Sequence, residues 1–424
     1  MTAALSIDRF ATTVRDRLFR PSAPTVRRIG AEIELLPLLA ESGAACPLAE
    51  PLPGDVRSTL GFVRTFAGPR GWCEQRSSKG APYFSLPNDA TLTFEPGGQI
   101  ELCSRPCGSA SRLIAELRQV LDPMVAEARH VGIDLASVGI DPRNDLASVP
   151  LQLDSERYRR MTAYFESRGP SGVRMMRQTA ATQISVDAGA DPSFRWRLLC
   201  DLAPYLTAIF ANSSRYAGRV TGYRSFRAHC WRTLDPSRTG IPYPDAPAEE
   251  AYTRFALEAT DIMRVDEGGA YRGFGEWAAC EDVTEAQWET HLTTLFPEVR
   301  PRGHLELRSL DALPPEWLAA PIVLVTGLIY DEASAAAARD LMPSADESLL
   351  ARAARCGLRD GEIGSRAETI VTLGMRGAKA LGTDFVAASD LAITEAFFDR
   401  WTSRGLSPAD DSDVPAHSPG QSGA

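Results

Sequence analysis

The sequence predicts an α+β fold, one domain of mixed strands and helices with a helical C-terminal part. Three patterns carry this expectation. Four segments alternate polar with apolar residues at a period of two, amphipathic stretches of helical period separate them, and from Trp317 onward nearly every segment reads as helix.

Apolar residues at Ile7, Phe10, Val14 and Leu18 give the spacing of an amphipathic helix over 7–19, which Pro21 and Pro24 end. A strand follows over 26–37, where Glu32 and Glu34 project from one side and Ile33 and Leu35 enter the core. The stretch 90–102, ATLTFEPGGQIEL, reads as strand, Pro-Gly-Gly turn and strand: a hairpin with Glu95, Gln99 and Glu101 on an acidic face. Ser109 then caps a long amphipathic helix to 132. Alternation resumes over 179–187, with Gln183 and Asp187 on one face, and a buried helix spans 194–212. Residues 218–240, rich in glycine and arginine, have the polar density of a substrate loop. A last strand, 304–308, sets His304, Glu306 and Arg308 on one face. The expected organisation is an N-terminal helix over 1–26, a core over 27–330, a helical part of the same domain over 331–402, and a disordered tail over 403–424.

Charge narrows the partners. In 424 residues, 45 basic against 55 acidic side chains give −10, which disfavours nucleic acid and anionic membranes. The only lysines, Lys79 and Lys379, lie outside any P-loop frame. Eight cysteines form no C-x-x-C pair; Cys103 and Cys107 are either a redox pair or free thiols. The histidines lack H-E-x-x-H spacing and there is no G-x-S-x-G elbow, which disfavours zinc hydrolysis and serine-nucleophile chemistry. The first twenty residues lack the apolar run of a secretory signal, so a cytoplasmic protein is expected.

Four strands thus present carboxylates or carboxamides on one face each: Glu32 with Glu34, Glu95 with Gln99 and Glu101, Gln183 with Asp187, and Glu306 beside Arg308. If these faces converge, the carboxylates require cations, and hard oxygen donors select Mg²⁺ or Mn²⁺, which in turn implies phosphate. Solvated acidic faces are the other reading of the same alternation. Arg177, Arg224, Arg227, Arg232 and Arg238 flank these strands as forks for carboxylate or phosphate, or else form a solvated loop. Trp231 is either a lid or a core anchor.

These motifs resemble a known family. LTFEPGGQIEL at 92–102, GVRMMRQTAATQISVD at 172–187, the Ala-Asn-Ser to Arg-Thr-Gly run over 209–240, and HLTTLFPEVRPRGHLELRSLD at 291–311 are similar, in the same order, to the plant and bacterial glutamate–cysteine ligases. Together they cover most of 27–332. The resemblance implies a glutamine-synthetase-like curved antiparallel sheet forming a funnel around clustered Mg²⁺. It implies an ATP-dependent carboxylate–amine ligase that phosphorylates the γ-carboxylate of glutamate for attack by the amine of cysteine. By motif position it makes Glu32, Glu34, Glu95, Glu101 and Glu306 the metal candidates, with Gln183 facing the same cavity. Arg227, Trp231, Arg238 and Thr239 become candidates for binding glutamate or cysteine, and Arg177 and Arg308 for meeting the phosphoryl group or substrate carboxylate. The sequence departs from the plant pattern at GAEIELL, and it lacks a glycine-rich continuation after the late glutamate; both features resemble the actinobacterial branch that serves ergothioneine. The implied alternatives are a different amine acceptor in a specialised pathway, or a non-catalytic homologue.

Overall fold

The computed structural model describes residues 7–411 apart from 24, 79 and 243–245. Eleven strands occur among the described residues: β1 Ile29–Leu39, β2 Cys73–Arg76, β3 Pro82–Ser85, β4 Thr91–Phe94, β5 Ile100–Cys103, β6 Ile133–Ala136, β7 Ala181–Asp187, β8 Arg215–Tyr216, β9 Arg219–Val220, β10 Val299–Pro301 and β11 His304–Asp311. Nine form one antiparallel sheet in the order β10-β11-β7-β1-β5-β4-β3-β2, with β6 paired to the far half of β1. The long β1 is therefore central: β7 pairs with its residues 29–33 and β5 with 32–35.

The two faces of this sheet differ as its alternation requires. Ile29, Ala31, Ile33 and Leu35 of β1 are buried in the main core; the helix Ala110–His130 packs on β1, and the helix Pro192–Ile209 on β10 and β11 of the same sheet. The first of these helices is capped by Ser109, whose side chain accepts from the backbone N–H of Arg112. The apolar helix Ala319–Tyr330 is buried along its whole length, and no single described helix is long and apolar enough to cross a membrane. Over the opposite, acidic face lies a second apolar cluster containing Met161, Phe165, Met175, Met176, Trp231 and Phe296.

Two expectations are corrected. Residues 218–240 are mostly helical rather than a loop: Phe226–Leu234 follows the cap Ser225, and Pro236–Thr239 follows the cap Asp235. Both caps, and Pro236 in the first helical turn, were visible in the sequence, but the density of arginines obscured them. Residues 403–411 are packed rather than disordered. A short helix, Pro408–Asp411, is fixed by a hydrogen bond from the N–H of Ala409 to the carbonyl of Ala211 at 2.9 Å and by an Asp410–Arg224 ion pair at 3.0 Å. The remainder of the expected tail, Lys79 and residues 1–6 lie outside the described residues. All eight cysteines are free, including Cys103 and Cys107.

The N-terminal helix docks through Phe10 on Phe274 and Trp288, beside His291. His291 is fully buried, with Nε2 2.8 Å from the carbonyl of Ala256, and burial pushes its pKa down to about 4. The unfolded chain takes up that proton near 6.5, so this contribution is present above pH 6.5 and is lost as pH falls toward 4. We expect wild type to lose stability relative to His291→Gln over that window by up to about 3 kcal/mol. Denaturation midpoints of the two proteins at pH 7 and 4.5 check this; parallel pH profiles would contradict it.

Candidate active site

Register brings the acidic side chains together. Glu34 stands opposite Glu101 across β1 and β5, Glu32 opposite Gln183 across β1 and β7, and Thr93 opposite Glu101 across β4 and β5. Directly opposed residues share a sheet face, so one row runs across four strands. Glu95 joins it from the turn after β4. A cavity of about 240 Å³ lies between this row and the second apolar cluster, with Glu32, Glu34, Glu95 and Glu101 on the sheet side and Met161, Met176, Trp231 and Phe296 opposite.

The turn carrying Glu95 is held from behind. The Oε1 atom of Gln99 accepts from the N–H of Gly97 at 2.9 Å, and its Nε2 donates to the carbonyl of Thr179 at 3.0 Å. A side chain at Gly97 would place Cβ 1.9 Å from the carbonyl oxygen of Arg177, and Gly98 has φ +87°. Only glycine fits either position.

Electrostatically the row is frustrated. Glu34 accepts from the N–H of Ala181 and from Nε2 of Gln183, both at 2.8 Å, and Oε1 of Glu101 accepts from Oγ1 of Thr93 at 2.7 Å and from Sγ of Cys103 at 3.2 Å. Even so, burial and then the neighbouring Glu101 push Glu32 and Glu34 up to about 8. Burial and then Glu34 or Glu95 push Glu95 and Glu101, respectively, up to about 7. Four oxygen-donor groups that cannot all ionise in isolation fit a hard divalent cation. Among the described residues no three His, Cys, Asp or Glu stand close enough to close a cage around a metal. Such spread donors suit an ion that keeps water and phosphate in its shell.

Arginines form the other end. Arg300 stands opposite Glu306 across β10 and β11. The carboxylate of Glu306 is fully buried, hydrogen-bonded to Arg308, and lies 3.6 Å from Arg300 and 3.4 Å from Arg302. Although burial opposes ionisation, these three arginines hold Glu306 well below the usual carboxylate range. Nη1 of Arg308 also donates to Oε1 of Gln183 at 2.6 Å, which links the cationic end to Glu34.

The structure thus brings Glu32, Glu34, Glu95, Glu101, Gln183, Trp231 and Arg308 to one cavity. Glu306 stands apart from the lining, with its oxygens against Arg300, Arg302 and Arg308. Arg227 is buried behind the wall, where Nη2 donates to the carbonyl of Arg308 at 2.7 Å and the guanidinium stacks 4.6 Å from the Trp231 ring; it supports two lining residues and does not reach the cavity itself. Trp231 anchors the apolar cluster through Nε1 to the carbonyl of Phe296, 3.0 Å, while lining the cavity. Arg177 also lies outside the lining, 3.8 Å from Glu166.

Arg238 and Thr239 lie away from the cavity. Arg238 is fully buried, paired with Asp235 at 2.9 Å and donating to the carbonyls of Thr294 and Thr260, and Thr239 donates to the carbonyl of Asp235. Neither lines the cavity. Arg238→Ala would strand a buried carboxylate, so we expect a loss of about 3–5 kcal/mol, read as a lowered denaturation midpoint, with substrate KM little changed in protein that folds. A raised KM without loss of stability would restore the substrate role.

Sequence reasoning missed Arg157, Arg300 and Arg302, which also line the cavity. The last two had a signal: charged residues at 300, 302, 306 and 308 fall at every second position around the Pro-Arg-Gly turn.

An acidic sheet face, arginines at one end and an apolar roof thus enclose one small cavity. Residues 30–411 match the model of glutamate–cysteine ligase family 2, and the chain belongs to that family. It is 34% identical over 348 residues to the glutamate–cysteine ligase EgtA of Mycolicibacterium smegmatis, covering 77% of this chain and 78% of that protein. It is 31% identical over 316 residues to the chloroplastic glutamate–cysteine ligase A of japonica rice, covering 69% of this chain and 64% of the rice protein, just under two thirds of its length. Among solved structures, a Francisella tularensis glutamate–cysteine ligase in complex with AMP aligns over 91% of each chain at 12% identity, TM-score 0.45.

Proposed function

We propose that this protein is an ATP-dependent ligase joining the γ-carboxylate of glutamate to the amine of cysteine. The observation that carries the reading is the single cavity lined by four glutamates together with arginines, in a chain of the glutamate–cysteine ligase family.

Glu32, Glu34, Glu95 and Glu101 would hold Mg²⁺ or Mn²⁺, which when bound supplies charge neutralisation for phosphoryl transfer. Arg308, fixed by Gln183 and Glu306, faces the charge that develops on the transferred group. A γ-carboxylate oxygen of glutamate attacks the terminal phosphorus of ATP, and the bond to the ADP oxygen breaks. The amine nitrogen then attacks the acyl carbon, loses a proton, and expels phosphate. The apolar roof would exclude water from the acyl phosphate, and the thioethers of Met161, Met175 and Met176 with Trp231 and Phe296 offer a polarisable surface suited to a small thiol side chain.

Glutamate labelled with ¹⁸O in its γ-carboxylate tests the chemistry. One labelled oxygen should appear in released phosphate; unlabelled phosphate would exclude the acyl phosphate route.

A further inference from the structure

Arg300, Arg302, Glu306 and Arg308 share one face of the β10–β11 hairpin: Arg300 opposes Glu306, and 302 and 308 lie two residues from them along the chain. Three cations therefore surround one anion. Two of the three are committed. Arg308 is engaged by Gln183 and Glu306, and Arg300, 14% exposed, lies near Glu306 and donates to the carbonyl of Leu295.

Arg302 differs. Its side chain is 52% exposed, its contact among the described residues is Nη1 at 3.4 Å from Glu306, and the residue lines the cavity. Its backbone is fixed nonetheless: the N–H of Arg302 donates to the carbonyl of His304 at 2.8 Å, and the N–H of Gly303, φ +77°, donates to the carbonyl of Leu18 at 2.9 Å. A half-exposed guanidinium on a braced turn, at the rim of a cavity that holds four carboxylates, is a partner for an incoming carboxylate.

We propose that Arg302 recognises the α-carboxylate of an amino-acid substrate at the rim of the cavity, making it a specificity-determining residue; this rests on the ligase reading above. An amino acid approaching four glutamates carries its own negative charge, and Arg302 offsets it without disturbing the buried Arg308. Donor and acceptor both carry this group, and kinetics separates them.

The test uses the full chain with Arg302→Gln and Arg302→Lys, measuring KM for ATP, glutamate and cysteine in turn. Cysteamine as acceptor and 4-aminobutyrate as donor serve as analogues lacking the α-carboxylate. In Arg302→Gln, KM for one amino acid should rise on the order of tenfold or more, with partial recovery in Arg302→Lys. KM for ATP and for the matching analogue should stay unchanged, as should the melting temperature. A rise for cysteine assigns the acceptor and a rise for glutamate the donor. A rise confined to ATP, an equal loss with the decarboxylated analogue, or no change in any KM would overturn the proposal. Wild type that releases no ADP with any donor and acceptor would instead remove the ligase reading, and this inference with it.

Discussion

Glu95→Gln should lower turnover by about a hundredfold or more while leaving the melting temperature unchanged or slightly raised. The carboxylate stands in a row of four that repel one another, and burial and Glu34 raise its pKa. Replacing it with an isosteric amide removes one source of repulsion, so the apo fold gains or stays level; the same change deletes charge from the cation site. Melting with and without Mg²⁺ separates the effects. Wild type should be stabilised by the ion, and the variant should show a smaller shift or none. Full activity at saturating Mg²⁺ would remove Glu95 from the site.

Gly97→Ala should damage both stability and activity. The new Cβ would sit 1.9 Å from the carbonyl oxygen of Arg177, a backbone atom that no rotamer change can move. The turn must shift, which costs about 1–3 kcal/mol or more for the forced displacement and pulls Gln99 from the carbonyl of Thr179. Since Glu95 opens this turn, its carboxylate moves with it, and a displacement near 1 Å is enough to lower turnover by about a hundredfold. A variant with native melting temperature and native turnover would show that the turn is not braced as described. The position explains what the motif region around Arg177 contributes: a backbone carbonyl that seats the turn, where the sequence suggested a catalytic guanidinium.

The strands and their acidic faces were legible because a period of two is a local property: Glu32 and Glu34, or Glu306 and Arg308, share a face wherever the strand lies. Convergence was not local. It depends on the pairing of Glu34 with Glu101 and of Glu32 with Gln183, partners separated by tens of residues or more. Arginines were the hardest to place, since any guanidinium serves equally well as substrate fork or structural brace. Arg238 lies three residues from Asp235 within helical reach, and that neighbour claims it. Glu306 shows the same ambiguity in reverse: arginines beside it on the hairpin surround its carboxylate, which alternation along one strand does not reveal.

The most direct test of the central claim is ADP release by purified protein with ATP and Mg²⁺, scanned over amino acids and small amines, with the product identified by mass. The account predicts that ADP accumulates together with γ-glutamylcysteine when glutamate and cysteine are both supplied. No ADP with any pair of donor and acceptor, from protein that melts cooperatively, would contradict it.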